Sequence, residues 1–214
     1  VQVLQLPDNP SYRAYADLQR GAAVWNVVAA PALSLTLKTW CYPVTGCVGY
    51  RGYFDRAEAD ALGAQLRAEG WDANVYGVPA YSTLGWSNWI GGDPLLNTFV
   101  NGSEGELARL IFHELAHQKL YVADDTMFNE SFATAVERIG TALWLERHGD
   151  AAAREQFRQG QQRRQDFRTL TMRTRDALEQ VYRSGQPEAE QRAAKAALLA
   201  QLQTDYATLK QQRW

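Results

Sequence analysis

The chain has 214 residues, of which 46% are hydrophobic and 21% are charged, and its formal net charge is −2. This length allows a sizeable buried core, and the composition excludes intrinsic disorder and a coiled coil. The near-neutral charge gives no electrostatic support for a nucleic-acid partner, and the longest apolar run, over residues 22–30, is too short for a membrane span. No signal peptide is visible at the start, which lacks Met, so we expect a mature form or a fragment of a longer protein.

Short apolar runs separated by turn residues characterise residues 1–102. Alternating and β-branched patterns predict strands, and a regular apolar spacing before Gly70 predicts a helix. In chain order the predicted elements are a short helix over 11–19, strands over 24–28 and 33–37, a hairpin strand over 48–54, a helix over 57–69 and a strand over 72–78. Residues 81–97, rich in Gly, Ser, Asn and Trp, are expected to form a structured loop.

The two cysteines, Cys41 and Cys47, are separated by a short segment that includes Pro43 and Gly46. A tight hairpin at this spacing could bring the two sulfur atoms within bonding distance. Two free buried thiols are the alternative, whereas a zinc site at this pair is disfavoured because no histidine precedes His113. A disulfide here would indicate an exported protein.

From Ser103 onward the pattern is helical. Ser103 and Glu106 have the spacing of a capping box at the start of a helix that reaches Leu120. Further helices are predicted over 129–147, 151–184 and 187–212. We therefore predict a single α+β domain over 1–214, in which a small, mostly antiparallel sheet (1–102) precedes a helical half (103–214).

Residues 113–117 are His-Glu-Leu-Ala-His, an H-E-x-x-H motif. On a helix, His113 and His117 share a face, so both imidazoles can reach one zinc ion. Glu114 is turned away from the metal but is close enough to act as a general base toward an attacking water. The alternative is a pair of structural histidines on an ordinary amphipathic helix; we favour zinc because the next segment supplies a further ligand. The third histidine, His148, is expected to be a surface or capping residue.

A catalytic zinc site needs a third protein ligand, and four carboxylates follow the motif: Asp124, Asp125, Glu130 and Glu137. We favour Glu130, because it opens the next helix after a turn long enough to fold that helix back onto the first. Ala133, one turn on, leaves room for a close approach. Glu137 lies two turns beyond Glu130 on the same face and suits an acceptor for a ligand histidine. Asp124 or Asp125 could orient an imidazole, although capping the second helix is the expected role.

The element Asn129-Glu130-x-x-Ala133 after the motif resembles gluzincins, thermolysin-like metallopeptidases in which that Glu is the third zinc ligand. The metzincin pattern is excluded, since Leu120 and Ala123 stand where its glycine and third histidine would be. More closely, the chain resembles a bacterial family of predicted zinc aminopeptidases, many of them predicted lipoproteins. The resembling segments are 11–18, 24–31, 38–55, 80–86 and 111–137. The resemblance implies a zincin-like fold and membrane attachment only through a lipid anchor that is absent from this chain.

The resulting hypothesis is a zinc-dependent peptidase of the bacterial periplasm, an aminopeptidase that hydrolyses a peptide or protein substrate with Glu114 as general base. An oxyanion donor is also needed, and Tyr50, Tyr81 and Tyr121 are candidates by residue type. An edge strand over 72–81 is expected to lie beside the substrate. The alternatives are an endopeptidase that processes envelope proteins and a non-enzymatic envelope protein with a structural zinc site.

Overall fold

The computed structural model describes residues 10–42, 46–80, 92–122 and 125–214. Across these residues, short strands come first and long helices follow. The elements are β1 (Tyr15–Ala16), β2 (Val24–Pro31), β3 (Trp40–Tyr42), β4 (Gly46–Val48), β5 (Arg51–Tyr53), α1 (Arg56–Ala68), β6 (Trp71–Val78), β7 (Leu95–Leu96), α2 (Glu104–Lys119), α3 (Thr126–His148), α4 (Ala151–Tyr182) and α5 (Glu188–Arg213). The α+β class is confirmed, with small and mostly antiparallel sheets followed by a helical half.

The main sheet has β2 at its centre, paired antiparallel with β5 on one side and with β6 on the other. Side chains alternate along β2, so Val27 and Ala29 point to one face, where they pack against Ala59 and Leu66 of α1. Asp55 begins α1 by accepting a hydrogen bond from the backbone N–H of Ala57 at 2.6 Å. The predicted strands over 24–28 and 72–78 and the helix over 57–69 are confirmed, and β6 is an edge strand of the sheet. The predicted hairpin strand over 48–54 is instead divided between β4 and β5, and β5 pairs with β2.

Two local predictions in the first half are wrong. Residues 11–19 contain no helix, because Tyr12 and Gln19 have left-handed backbone angles (φ 62° and 52°) and β1 pairs in parallel with β7. Residues 33–37 form no strand despite their alternating pattern. Ser34 instead forms a local turn, in which its N–H donates to Pro31 O at 3.0 Å and its Oγ accepts from Thr36 N–H at 3.0 Å. Next to β2 only an isolated bond forms, from Lys38 N–H to Ala29 O at 2.8 Å.

The cysteines lie opposite each other in the hairpin of β3 and β4 and form a disulfide. The described residues contain no free cysteine, so this pair accounts for both thiols. The hairpin prediction is confirmed for its two strands, while residues 43–45 lie outside the described residues. Neither sulfur is therefore available to bind a metal ion.

The helical half consists of two packed helix pairs, α2 with α3 and α4 with α5. Gly105 allows α2 to approach α4 closely, since a Cβ there would lie 3.0 Å from the Phe157 ring. Ser103 caps α2 as predicted, but Glu106 does not complete the capping box. Its carboxylate instead binds the Arg164 guanidinium through bonds of 2.6 and 2.7 Å, because a charged bidentate pair is stronger than a single bond to a backbone amide. This pair fixes α2 to α4.

Specific hydrogen bonds connect segments that are distant in sequence. The Asn97 side chain accepts from Leu18 N–H at 2.9 Å and donates to Arg20 O at 3.0 Å, so the segment before α2 is tied to the first strands. On another surface, Lys195 of α5 donates to Ala32 O at 2.7 Å and pairs with Asp72 of β6. These contacts place the sheet against the helices.

Among the described residues, no helix combines the length and the apolar character needed to cross a bilayer.

Candidate metal centre

The two motif histidines project from the same face of α2, because residues four apart on a helix are neighbours. Their Nε2 atoms lie 3.3 Å apart and their rings meet edge to face, with centroids 4.9 Å apart. His117 is buried and His113 is partly buried, with 19% of its side chain exposed. The prediction that both imidazoles face one point in space is confirmed by these distances.

The connection from α2 to α3 is held by Asn129, which is only 2% exposed. Its Oδ1 accepts from Val122 N–H at 2.8 Å, and its Nδ2 donates to Val122 O at 2.7 Å. Asp125 caps α3 by accepting from Phe128 N–H, in agreement with the capping role expected for it. Asp124 lies outside the described residues. Because Asn129 closes the turn, the next residue, Glu130, faces α2.

Glu130 completes a cluster with the two histidines. Its Oε2 lies 3.3 Å from His113 Nε2, and its Oε1 lies 3.6 Å from His117 Nε2. One donor atom from each of these residues falls within 4.8 Å of the others, so the three side chains could together hold a metal ion. Ala133, one turn later, is fully buried, which permits α3 to lie close to α2. The structure therefore brings together the three residues that the sequence proposed as ligands.

Glu137 lies behind this cluster and contacts it through one imidazole. His113 Nδ1–H donates to Glu137 Oε2 at 2.9 Å, and Arg109 Nη1 donates to the same oxygen at 2.9 Å. A carboxylate on the far ring nitrogen fixes the orientation of an imidazole and leaves Nε2 free to bind a metal. The sequence placed Glu137 in this position; Arg109, which holds it there, was not predicted.

The ionisable groups of the cluster shift one another's pKa values. Hydrogen bonds with Glu130 and Glu137 raise the pKa of His113 to about 9, whereas burial lowers the pKa of His117. The His113 hydrogen bond lowers the pKa of Glu130. Burial alone would raise the pKa of Glu137, but the His113 hydrogen bond and the Arg109 charge outweigh it and lower that pKa. At neutral pH the site thus combines two carboxylates with one charged and one neutral imidazole, so a metal ion that binds His113 Nε2 has to displace its proton.

The residues present fit a divalent metal of the zinc type. Two imidazole nitrogens and one carboxylate oxygen are a donor set that zinc prefers in catalytic sites, where a fourth position stays open. The two histidines differ in the environment of their second ring nitrogen. His117 Nδ1 is buried and has no hydrogen-bond partner, so among the described residues only His113 has its second ring nitrogen held by a carboxylate.

Glu114 also lies on α2, and its surroundings include a residue that the sequence did not indicate. Burial and the negative charges of Glu114 and Asp93 raise the pKa of the Tyr12 phenol, so this tyrosine of the N-terminal segment lies within electrostatic range of the motif. About a hundred residues separate them in sequence, so no spacing pattern could have connected Tyr12 with Glu114. Asn129 was noticed only as part of a family resemblance, without a structural role.

The remaining candidate residues lie away from the cluster or outside the described residues. His148 is exposed in the last turn of α3, where its ring lies against Trp144, as expected of a surface residue. Tyr50 and Tyr121 are 38% and 48% exposed, and Tyr81 lies outside the described residues. None of the three is therefore assigned to the cluster.

The chain matches a known protein family. A family model described as "Putative aminopeptidase" matches residues 1–214, and the chain belongs to this family. Neither the curated proteins nor the solved structures gave a match. The family supports a peptidase function, consistent with the motif.

Proposed function

We propose that this protein is a zinc-dependent aminopeptidase of the gluzincin type, built as a single zincin-like domain over residues 1–214. The observation that carries the proposal is the convergence of His113, His117 and Glu130 within 4.8 Å on two packed helices. The family description supports the exopeptidase class.

Zinc is the metal that best suits this donor set. Imidazole and carboxylate ligands with one open position are typical of catalytic zinc, whereas a structural zinc site is usually closed by four protein ligands that often include Cys. Cys41 and Cys47 are joined to each other and cannot contribute. This pairing argues against a non-enzymatic protein with a structural zinc site.

The roles of the residues follow from their positions. When bound, zinc supplies Lewis-acid polarisation of the scissile carbonyl and makes water more acidic. Glu114, one residue from a ligand and turned off the His113–His117 face, takes the proton from the attacking water and passes it to the leaving amine. Glu137 keeps the His113 ring in place and Arg109 keeps Glu137 ionised.

The substrate is a peptide or protein, and nucleic acid is not expected as a partner. The proposed location is the bacterial periplasm, supported by the disulfide, which persists in oxidising compartments, and by the resemblance to predicted lipoproteins. Attachment to a membrane, as the resemblance to predicted lipoproteins implies, would be through a lipid anchor.

The proposal is tested with purified protein loaded with one equivalent of zinc. We expect hydrolysis of amino-acid anilides with a free α-amine and no hydrolysis of the same compounds after N-acetylation. Cleavage of blocked peptides instead would indicate an endopeptidase that processes envelope proteins. Tight zinc binding without hydrolysis of either the anilides or the blocked peptides would overturn the enzyme proposal in favour of a non-enzymatic protein with a structural zinc site.

A further inference from the structure

The segment that precedes β1 is anchored to the motif helix. Ser11 is buried, and its Oγ accepts hydrogen bonds from Gln118 Nε2 at 3.2 Å and from Asp93 N–H at 3.1 Å. Gln118 follows Glu114 by four residues, so the two side chains lie on the same face of α2. The anchor therefore holds the N-terminal segment over the part of α2 that carries Glu114.

Tyr12, the next residue, has an unusual backbone. Its φ is 62°, a left-handed value that bulky residues rarely adopt, and its N–H donates to Asp93 O at 2.5 Å. Gly92 makes this approach possible, because it has φ 77° and a Cβ there would lie 2.5 Å from Ser11 N. Strained residues persist only where the surroundings hold them, and they are concentrated at functional sites.

The Tyr12 side chain lies within electrostatic range of Glu114, and the preceding residue, Ser11, is bonded to α2 one turn beyond Glu114. The ring is partly buried, and burial together with the charges of Glu114 and Asp93 raises the pKa of the phenol well above its usual value. The hydroxyl consequently keeps its proton at neutral pH and is available as a hydrogen-bond donor beside a carboxylate. Tyr50 and Tyr121, by contrast, are exposed.

We propose that Tyr12 is a positioning residue for Glu114, whose carboxylate shares a hydrogen bond, direct or through one water, with the Tyr12 hydroxyl. The inference rests on the proposed function, in which Glu114 is the general base. A base must be held in one orientation to remove a proton efficiently, and the anchored left-handed turn provides that fixed point. Tyr12 has no role in holding the metal.

The first test is kinetic and uses Tyr12→Phe, which removes only the hydroxyl. We expect kcat to fall about 10- to 100-fold with KM within about twofold, while zinc retention against a chelator and the melting temperature stay as in wild type. In a Glu114→Gln background, Tyr12→Phe should cause no further loss, because it acts through Glu114. Tyr15→Phe, an exposed tyrosine of the same segment, is the matched control.

The second test does not depend on activity. With 3-fluorotyrosine at position 12, the fluorine resonance should shift when Glu114 is changed to Gln. It should not shift with Glu104→Gln, an exposed position on the same helix.

The outcomes separate the two proposals. If the fluorine resonance at position 12 does not shift with Glu114→Gln, the proposed contact between Tyr12 and Glu114 is wrong. If Tyr12→Phe is as active as wild type, the positioning role is wrong. Equal losses from Tyr12→Phe with and without Glu114 would also overturn it, since the effect would not pass through the base. If wild type hydrolyses nothing, the proposed function fails and the kinetic role fails with it, even where the fluorine shift supports the contact.

Discussion

The sheet with α1 and the α2–α3 helix pair differ in how many polar side chains they bury. The core between the sheet and α1 is apolar and consists of Val27, Ala29, Ala59 and Leu66. The buried residues on α2 and α3 include several polar and ionisable ones: His117, Asn129, Glu137 and Thr141. Both regions are formed by regular elements with capped helices. They differ in the polarity of their buried side chains and not in their secondary structure.

Buried ionisable groups stabilise a fold less well than apolar groups of similar volume, because they lose their hydration. Burial of these groups in the helix pair therefore costs desolvation free energy that the apolar core of the sheet half does not. Ion pairs and hydrogen bonds offset this free energy, as in the contacts of Glu137 with Arg109 and His113. We infer that the sheet half serves stability and the helix pair serves chemistry. Substitutions in the two regions should accordingly affect different measurements.

The largest effect is expected from Glu130→Ala. This change leaves two imidazoles as the only protein ligands, so zinc should be lost to a mild chelator that wild type resists. Asp125→Ala, which removes only a helix cap on the same helix, is the control; it should retain zinc and lose about 1 kcal/mol of stability. Zinc retention in a single chelator series measures both. Retention by Glu130→Ala alongside release by Glu137→Ala would show that the ligand is misassigned.

Glu114→Gln should separate chemistry from metal binding. Because the amide cannot accept a proton, turnover should fall at least about a hundredfold while zinc stoichiometry stays near wild type. Glu104→Gln, exposed on the same helix, should change neither. Loss of zinc from the Glu114 variant would mean that this residue is a ligand and not a base.

Glu137→Ala should have an intermediate effect. Without the acceptor, the His113 ring is no longer oriented, and zinc affinity should fall about 10- to 100-fold. Competition with a fluorescent chelator measures the change, and Glu146→Ala on the exposed face of α3 is the control. An affinity equal to wild type would show that the 2.9 Å contact with His113 has no role in metal binding.

In the sheet half, replacing both Cys41 and Cys47 by Ser should act on stability alone. Closing so short a loop is worth about 2 kcal/mol, so the variant should fold, unfold at lower urea concentration and bind zinc as wild type does. Two titratable thiols in wild-type protein purified without reductant would contradict the disulfide and weaken the case for export.

The smallest effect concerns the pH dependence of stability in the helix pair. The pKa of His113 is raised to about 9 from an ordinary value of 6.5. Its contribution to stability in chelator-treated protein is therefore fully present below about pH 6.5 and is lost as pH rises through about 9. Urea unfolding across this range should show stability falling with pH, and His113→Gln should flatten the slope.

Much of the site could be predicted because it depends on local rules. Four-residue spacing places His113 and His117 on one helix face whatever the rest of the chain does. A turn of limited length after α2 forces α3 to return beside it, which favoured Glu130 over its neighbours. The Cys41–Cys47 hairpin is similarly local. In each case the deciding contacts lie within a few residues or between consecutive helices.

Other features were decided by contacts between distant parts of the chain. The alternating pattern over 33–37 predicted a strand, but Ser34 forms a local turn and only Lys38 bonds to β2, whereas a strand requires a continuous partner. The turn at Tyr12 depends on Gly92 and Asp93, and its place beside Glu114 depends on the Ser11–Gln118 bond. The sequence alone determined which residues could bind a metal and which helices would carry them. Only the tertiary structure decided what surrounds Glu114, because hydrogen bonds between segments about a hundred residues apart follow no periodicity along the chain.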